Sequence, residues 1–113
     1  MVHPQVYPFW WERLTDWHKE AYRHRMTKRY IRSKHVVWNM VDDEAVLLNT
    51  ITGKYFGMNK TAIALWQFIE TPRSSQEIVK ELLNLFEVEE ALLTKDVLEL
   101  LSTLESKQLV EKN

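Results

Sequence analysis

Residues 35–58 hold short β-branched, aromatic and aliphatic runs separated by turn residues, and from Asn59 a period near 3.6 takes over. HVVWNMV, residues 35–41, is β-branched and aromatic. Asp42 and Asp43 follow as a turn before the apolar run AVLL, which predicts a hairpin. A second turn, from Thr50 to Gly53, leads into KYFGM, where Lys54, Phe56 and Met58 share one face and Tyr55 and Gly57 the other. Three antiparallel strands in succession make a small meander. Nothing downstream reads as a strand strong enough to pair with the far side of the short third one. It is therefore expected as an open edge, which attracts peptide strands.

In the helical half, Asn59 suits the cap of a first helix in which Ile63, Trp66 and Phe68 or Ile69 repeat at near-helical spacing, stopped by Thr71 and Pro72. Ser74, followed three residues later by Glu77, fits a capping box opening a second helix with Ile78, Leu82, Leu85 and Phe86 inward. A third helix is predicted from about Glu89 to Ser106, and the closing QLVE reads as a short strand or a tail. At about 100° per residue, Leu93, Val97, Leu100 and Leu104 of this helix form its core stripe, with Leu92 and Leu101 on the flanks. Leu98 then points about 120° away from that stripe, among Thr94, Leu101 and Glu105. It is either a surface leucine, which folded proteins tolerate, or the lining of a groove beside the open third strand.

The beginning of the chain follows other rules. MVHPQVYP should be extended or irregular because of its two prolines. An extra helix is expected from Trp10, with Trp10, Leu14, Trp17 and Ala21 on one stripe and Tyr22 beside it. RHRMTKRYIRSK, residues 23–34, is so basic that it reads as the solvated end of that helix or a linker. The chain is thus divided into an N-terminal extension, residues 1–34, and a body, residues 35–113.

Length and composition fit this reading. At 113 residues, 45% hydrophobic and 27% charged, the chain has one soluble domain's worth of core and is too apolar to be disordered. It has no cysteine, which excludes disulfides, thiolate metal sites and cysteine nucleophiles. With no signal peptide or spanning segment in view, a cytoplasmic protein is expected, with no membrane partner. The net charge of −1 hides an asymmetry: residues 1–34 carry eight Lys or Arg against three Asp or Glu, and the remainder seven against thirteen. The acidic body argues against nucleic acid, whose affinity depends on clustered Lys and Arg.

Catalytic chemistry finds little support. The four histidines, His3, His18, His24 and His35, lack the four-residue spacing that stacks two ligands on one helix face, so no metal or other cofactor is expected. The acidic residues sit in charged helix positions such as Glu77 and Glu81, the usual solvated pattern. No serine lies in a glycine-rich elbow or phosphate loop, and the chain has only two glycines. The sequence argues against an enzyme.

EAVLLNTITGKYFGMN, the helix ending in LWQFIE, PRSSQEIVKELLNLFEVEE and KDVLELLSTLESKQLVE together resemble the PqqD-like family, the recognition elements for ribosomally made, post-translationally modified peptides. The resemblance covers about residues 35–112. It is carried by the order and spacing of Leu48, Gly53, Tyr55, Asn59, Trp66, Val88, Glu89, Asp96, Val97, Leu109 and Val110. It implies an α+β winged helix-turn-helix domain, with a three-stranded antiparallel sheet followed by three helices. It also implies that the leader segment of a precursor peptide is held as a strand added to the third strand, opposite the third helix, and delivered to a maturation enzyme such as a radical SAM protein, a leader peptidase or a cyclase. Carried onto this chain, the strand is Lys54, Tyr55, Phe56, Gly57 and Met58, and the helical wall is Thr94, Leu98, Leu101 and Glu105. Two or three buried anchors at roughly 1.5 to 3 kcal/mol each, less ordering losses, would give low-micromolar or tighter binding.

Two other classes compete. A DNA-binding winged helix has the same architecture, but its recognition helix needs exposed basic or amide side chains, and here Lys95 stands against Glu89, Glu90, Asp96, Glu99 and Glu105. A structural subunit could pair its edge strand with a permanent protein partner. The basic, Trp-rich extension departs from the family pattern. It reads first as a helix packed on the body, then as a docking element for the enzyme, a contact for acidic peptide residues, or an arm whose exchange between protomers makes a homodimer.

Overall fold

The computed structural model describes residues 28–113 together with Arg13, residues 15–17 and Lys19. Asp16, Trp17 and Lys19 are helical, and the Lys19 N–H donates to the Thr15 carbonyl at 3.0 Å, within the span expected for the extra helix. Trp17 is exposed. Trp10, Leu14, Ala21, Tyr22 and the opening MVHPQVYP lie outside the described residues.

The predicted meander is present. Strands β2 (Val36–Val41), β3 (Glu44–Asn49) and β4 (Tyr55–Met58) form an antiparallel sheet in that order. Strict alternation in β3 turns Ala45, Leu47 and Asn49 inward and leaves Glu44, Val46 and Leu48 exposed. The β2–β3 turn is tight, with Asp42 at φ 57°, a left-handed conformation that Asp tolerates better than most residues.

Helices α1 (Lys60–Phe68), α2 (Ser75–Leu85) and α3 (Glu90–Ser106) follow. Asn59 caps α1 by accepting the Ala62 N–H at 3.0 Å. Ser74 and Glu77 form the expected reciprocal box on α2, at 3.1 Å and 2.9 Å. The backbone hydrogen bond from Ser74 is the largest effect holding the Glu77 carboxyl below its ordinary range; burial opposes it, and Arg29, the Ser74 side chain and Arg73 add to it.

One segment departs from the sequence reading. Arg29–Arg32 is neither helix end nor linker but a strand, β1, which pairs antiparallel with β5 (Arg73–Ser74) on one side and β6 (Val110–Lys112) on the other. Residues 29–32, on the extension side of the expected boundary, are therefore hydrogen-bonded into a second three-stranded sheet with the end of the chain. Tertiary contacts override the local charge here. Tyr30 is buried in the core, and Arg32 donates its Nε–H to the Trp66 carbonyl at 2.9 Å, its guanidinium 5.1 Å from the Trp66 ring and 5.5 Å from that of Trp38.

A single core joins the layers: Ala45, Leu47 and Met58 of the meander, Leu65 and Trp66 of α1, Ile78 and Leu82 of α2, and Leu93, Val97, Leu101 and Leu104 of α3. The α3 stripe differs from the expected one by a single exchange. Leu101 is in the core and Leu100 only half-buried, a rotation that spacings of four, four and three produce. Leu92, expected on the flank, is exposed.

Candidate functional site

The third strand of the meander is an edge. Among the described residues β4 pairs only with β3, in the register Ala45–Met58, Val46–Gly57, Leu47–Phe56 and Leu48–Tyr55. The Asn49 N–H donates to the Lys54 carbonyl at 2.9 Å, which sets the phase of the ladder. Stepping by two, Phe56 and Met58 spend their backbone groups on β3, so Tyr55 and Gly57 direct N–H and C=O away from the sheet. Lys54 lies just outside the strand and is exposed.

The side chains divide the other way. Met58 is buried, Phe56 is half-buried and packed on the core, and Tyr55 and Gly57 are exposed. Met58 thus belongs to the core and Phe56 packs against it, while the edge exposes the backbone of Tyr55 and Gly57 together with the Tyr55 ring.

The turn that delivers β4 is built by Asn49. Its Oδ1 accepts the N–H groups of Ile51 at 2.8 Å and Thr52 at 3.1 Å, and Gly53 closes the turn at φ +76°, a conformation that favours glycine. Its Nδ2 donates to the Gln108 carbonyl at 2.6 Å, just beyond α3. Asn49 was not singled out from the sequence; its position before a Thr-Ile-Thr-Gly turn was the available signal.

On α3, Thr94 and Leu98 are half-buried, Leu101 lies in the core, and Glu105 is half-exposed and paired with Lys112 at 2.9 Å. Among the described residues, Leu98 lines an open depression of about 600 Å³ with Lys95, Glu99, Ser102 and Thr103. The sequence reading does not single out these four neighbours as site residues, although Lys95 and Ser102 lie three and four positions from Leu98, the spacing that places side chains on one helix face. Leu101 lies beneath that surface, sharing one core with Met58 of β4.

The exposed part of α3 is acidic: Glu89, Glu90, Asp96 and Glu99 are all exposed, and Lys95 faces Glu99 at 4.0 Å. Such a face repels phosphate. Among the described residues no three or more His, Cys, Asp or Glu are grouped so as to hold a metal ion, and no helix is long and apolar enough to cross a membrane.

Comparison with known proteins returns one family model, described as coenzyme PQQ synthesis protein D (PqqD), which matches residues 44–110. No curated protein matches the chain. Among solved structures, the chain is similar to TbiB1 in complex with the TbiA(beta) leader peptide, with 32% identity and a TM-score of 0.65 over 72% of this chain and 94% of that one. It is also similar in fold to a lasso peptide synthetase B1 complexed with the leader peptide, at 22% identity and a TM-score of 0.63, over 73% of this chain and 96% of the other.

Proposed function

Because this chain belongs to the PqqD family, we propose that it binds the leader segment of a ribosomally synthesised precursor peptide as a strand added to the free edge of β4. The supporting observation is the β4 edge itself, with Tyr55 and Gly57 turned outward, in a chain 32% identical to a protein solved with a leader peptide. Backbone hydrogen bonds to these two residues give attachment that tolerates sequence variation. Side chains of the leader that reach α3 meet Leu98, flanked by Thr94 and Glu105 on one side and by Lys95 and Ser102 on the other, and selectivity arises there.

The chain acts without catalysis, as a carrier that presents the precursor to a maturation enzyme: a radical SAM protein, a leader peptidase or a cyclase. Its place of action is the cytoplasm, where precursor peptides are made. The test is isothermal titration of the full chain with the leader peptide encoded beside it in the genome, repeated with the core segment of the same precursor. Low-micromolar or tighter binding of the leader alone is expected. Binding of the core segment in preference to the leader, or of neither, would overturn the proposal.

A further inference from the structure

Among the described residues the meander has a second unpaired edge. Strand β2 carries six residues, VVWNMV, with no charged side chain and no proline, and among the described residues pairs only with β3. Natural sheets usually blunt such an edge with Lys, Pro or a bulge. The Thr50 N–H donates to the His35 carbonyl at 2.9 Å, so stepping by two Val37, Asn39 and Val41 bond to β3, while Trp38 and Met40 turn N–H and C=O outward. Val37, Met40 and Val41 are 54%, 46% and 56% exposed, unusually open for apolar strand residues.

We propose that β2 pairs antiparallel with β2 of a second copy of this chain, about a two-fold axis at Asn39, joining two meanders into one six-stranded sheet. The register follows from which groups are free. With Asn39 opposite its own copy, Trp38 of each protomer faces Met40 of the other, and all four outward N–H and C=O groups of Trp38 and Met40 are satisfied. Shifting the axis to Trp38 or to Met40 leaves some of them unpaired. In the Asn39 register Val37 lies opposite Val41 on the outer face, an apolar pair made twice.

Charge selects the same occupant. The exposed Lys34–His35 turn precedes β2, and the exposed Asp42, Asp43 and Glu44 follow it. Antiparallel self-pairing lays the acidic end of each strand beside the basic end of its partner, whereas parallel pairing would oppose like charges. A second copy is thus complementary in hydrogen bonding, apolar pairing and charge. The two β4 edges remain at the outer margins of the joined sheet, so the dimer carries two leader sites and does not require a leader to form.

Absence of cysteine makes the register directly testable. In the full chain, Asn39→Cys places two thiols across the axis at a non-hydrogen-bonded pair, where side chains lie closest. Val37→Cys places them several residues apart. Under mild oxidation Asn39→Cys should yield a disulfide-linked dimer and Val37→Cys should form no disulfide, while a mixture of Val37→Cys and Val41→Cys should cross-link. Sedimentation equilibrium of the cysteine-free chain should show reversible dimerisation that weakens with salt, and Asn39→Asp should weaken it at least tenfold with an unchanged circular dichroism spectrum. A chain monomeric at every concentration, or equal cross-linking of Asn39→Cys and Val37→Cys, would overturn the proposal. So would dissociation of the dimer by added leader peptide, since that would place the leader on β2.

Discussion

The Asn49 Nδ2 donates to the Gln108 main-chain carbonyl at 2.6 Å, joining residues 59 apart in sequence. Gln108 lies two residues beyond α3 at φ 58°, a left-handed position in which its carbonyl is presented to Asn49. The same Asn49 side chain holds the turn that leads into β4. One buried amide therefore couples the edge strand to the end of the helix that carries Leu98.

Replacing Asn49, itself only 3% exposed, with Ala should cost about 1 to 3 kcal/mol of stability, because the Gln108 carbonyl and two turn N–H groups lose their partner. Asn49→Asp keeps the acceptor for the turn but loses the donor to Gln108, and should lower stability as well as leader affinity. Urea denaturation followed by tryptophan fluorescence measures the first effect, and isothermal titration the second. A wild-type affinity in Asn49→Asp would show that the helix and the edge strand are positioned independently.

Edge geometry predicts opposite outcomes for proline at adjacent positions. Gly57 directs its N–H outward and a Cβ there meets nothing within 4 Å, so Gly57→Pro should leave the β3–β4 ladder intact. With that donor removed from the edge, leader affinity should fall about tenfold, equivalent to roughly 1.4 kcal/mol. Phe56→Pro removes a donor that bonds to β3 and should destabilise the fold itself. Thermal unfolding and leader titration of the two variants separate the cases.

Much of this architecture is legible in the sequence because its causes are local. The Ser74–Glu77 box, the Asn59 cap and the alternation of β3 each depend on residues within a few positions of one another. Strand β1 was not legible, since RYIR sits in a basic run and becomes a strand only through partners at residues 73–74 and 110–112, with Arg32 anchored on Trp66. On α3 the exchange of Leu100 for Leu101 turns the centre of the stripe by only about 25°, too little for a helical wheel to fix where apolar residues crowd. The edge character of β4 was read from a shortage of strands, yet which of its residues serve a ligand through the backbone depends on the phase of the ladder. That phase is invisible before pairing.

The capping box gives stability a defined pH dependence. The folded-state pKa of Glu77 lies below its ordinary value of 4.5, because hydrogen bonding with Ser74 and the nearby Arg29 and Arg73 favour the carboxylate. Its stabilisation is therefore fully present above that ordinary value and is lost as pH falls through the lower folded value. Glu77→Gln retains a side-chain acceptor for the Ser74 N–H but cannot titrate, so its urea midpoint should vary less with pH across this acidic window than that of the wild type. Parallel slopes in the two proteins would place the acid sensitivity in other carboxylates.

Leu98 and Leu101 separate the proposed recognition surface from its support. Leu98 is half-buried beside the depression on α3, so Leu98→Asp exposes a charge to solvent there at little structural cost, while removing an apolar anchor of about 1.5 to 3 kcal/mol from any bound peptide. Affinity for the leader should fall at least tenfold with the thermal midpoint nearly unchanged. Leu101 is 1% exposed, and an aspartate there would bury an unpaired charge, so Leu101→Asp should unfold the chain. Phe56→Asp belongs with Leu101, since Phe56 packs on the core and its loss reports folding before binding. Circular dichroism together with leader titration of Leu98→Asp decides the assignment: a native spectrum with undiminished affinity would remove α3 from the groove and leave the β4 edge as the whole of the site.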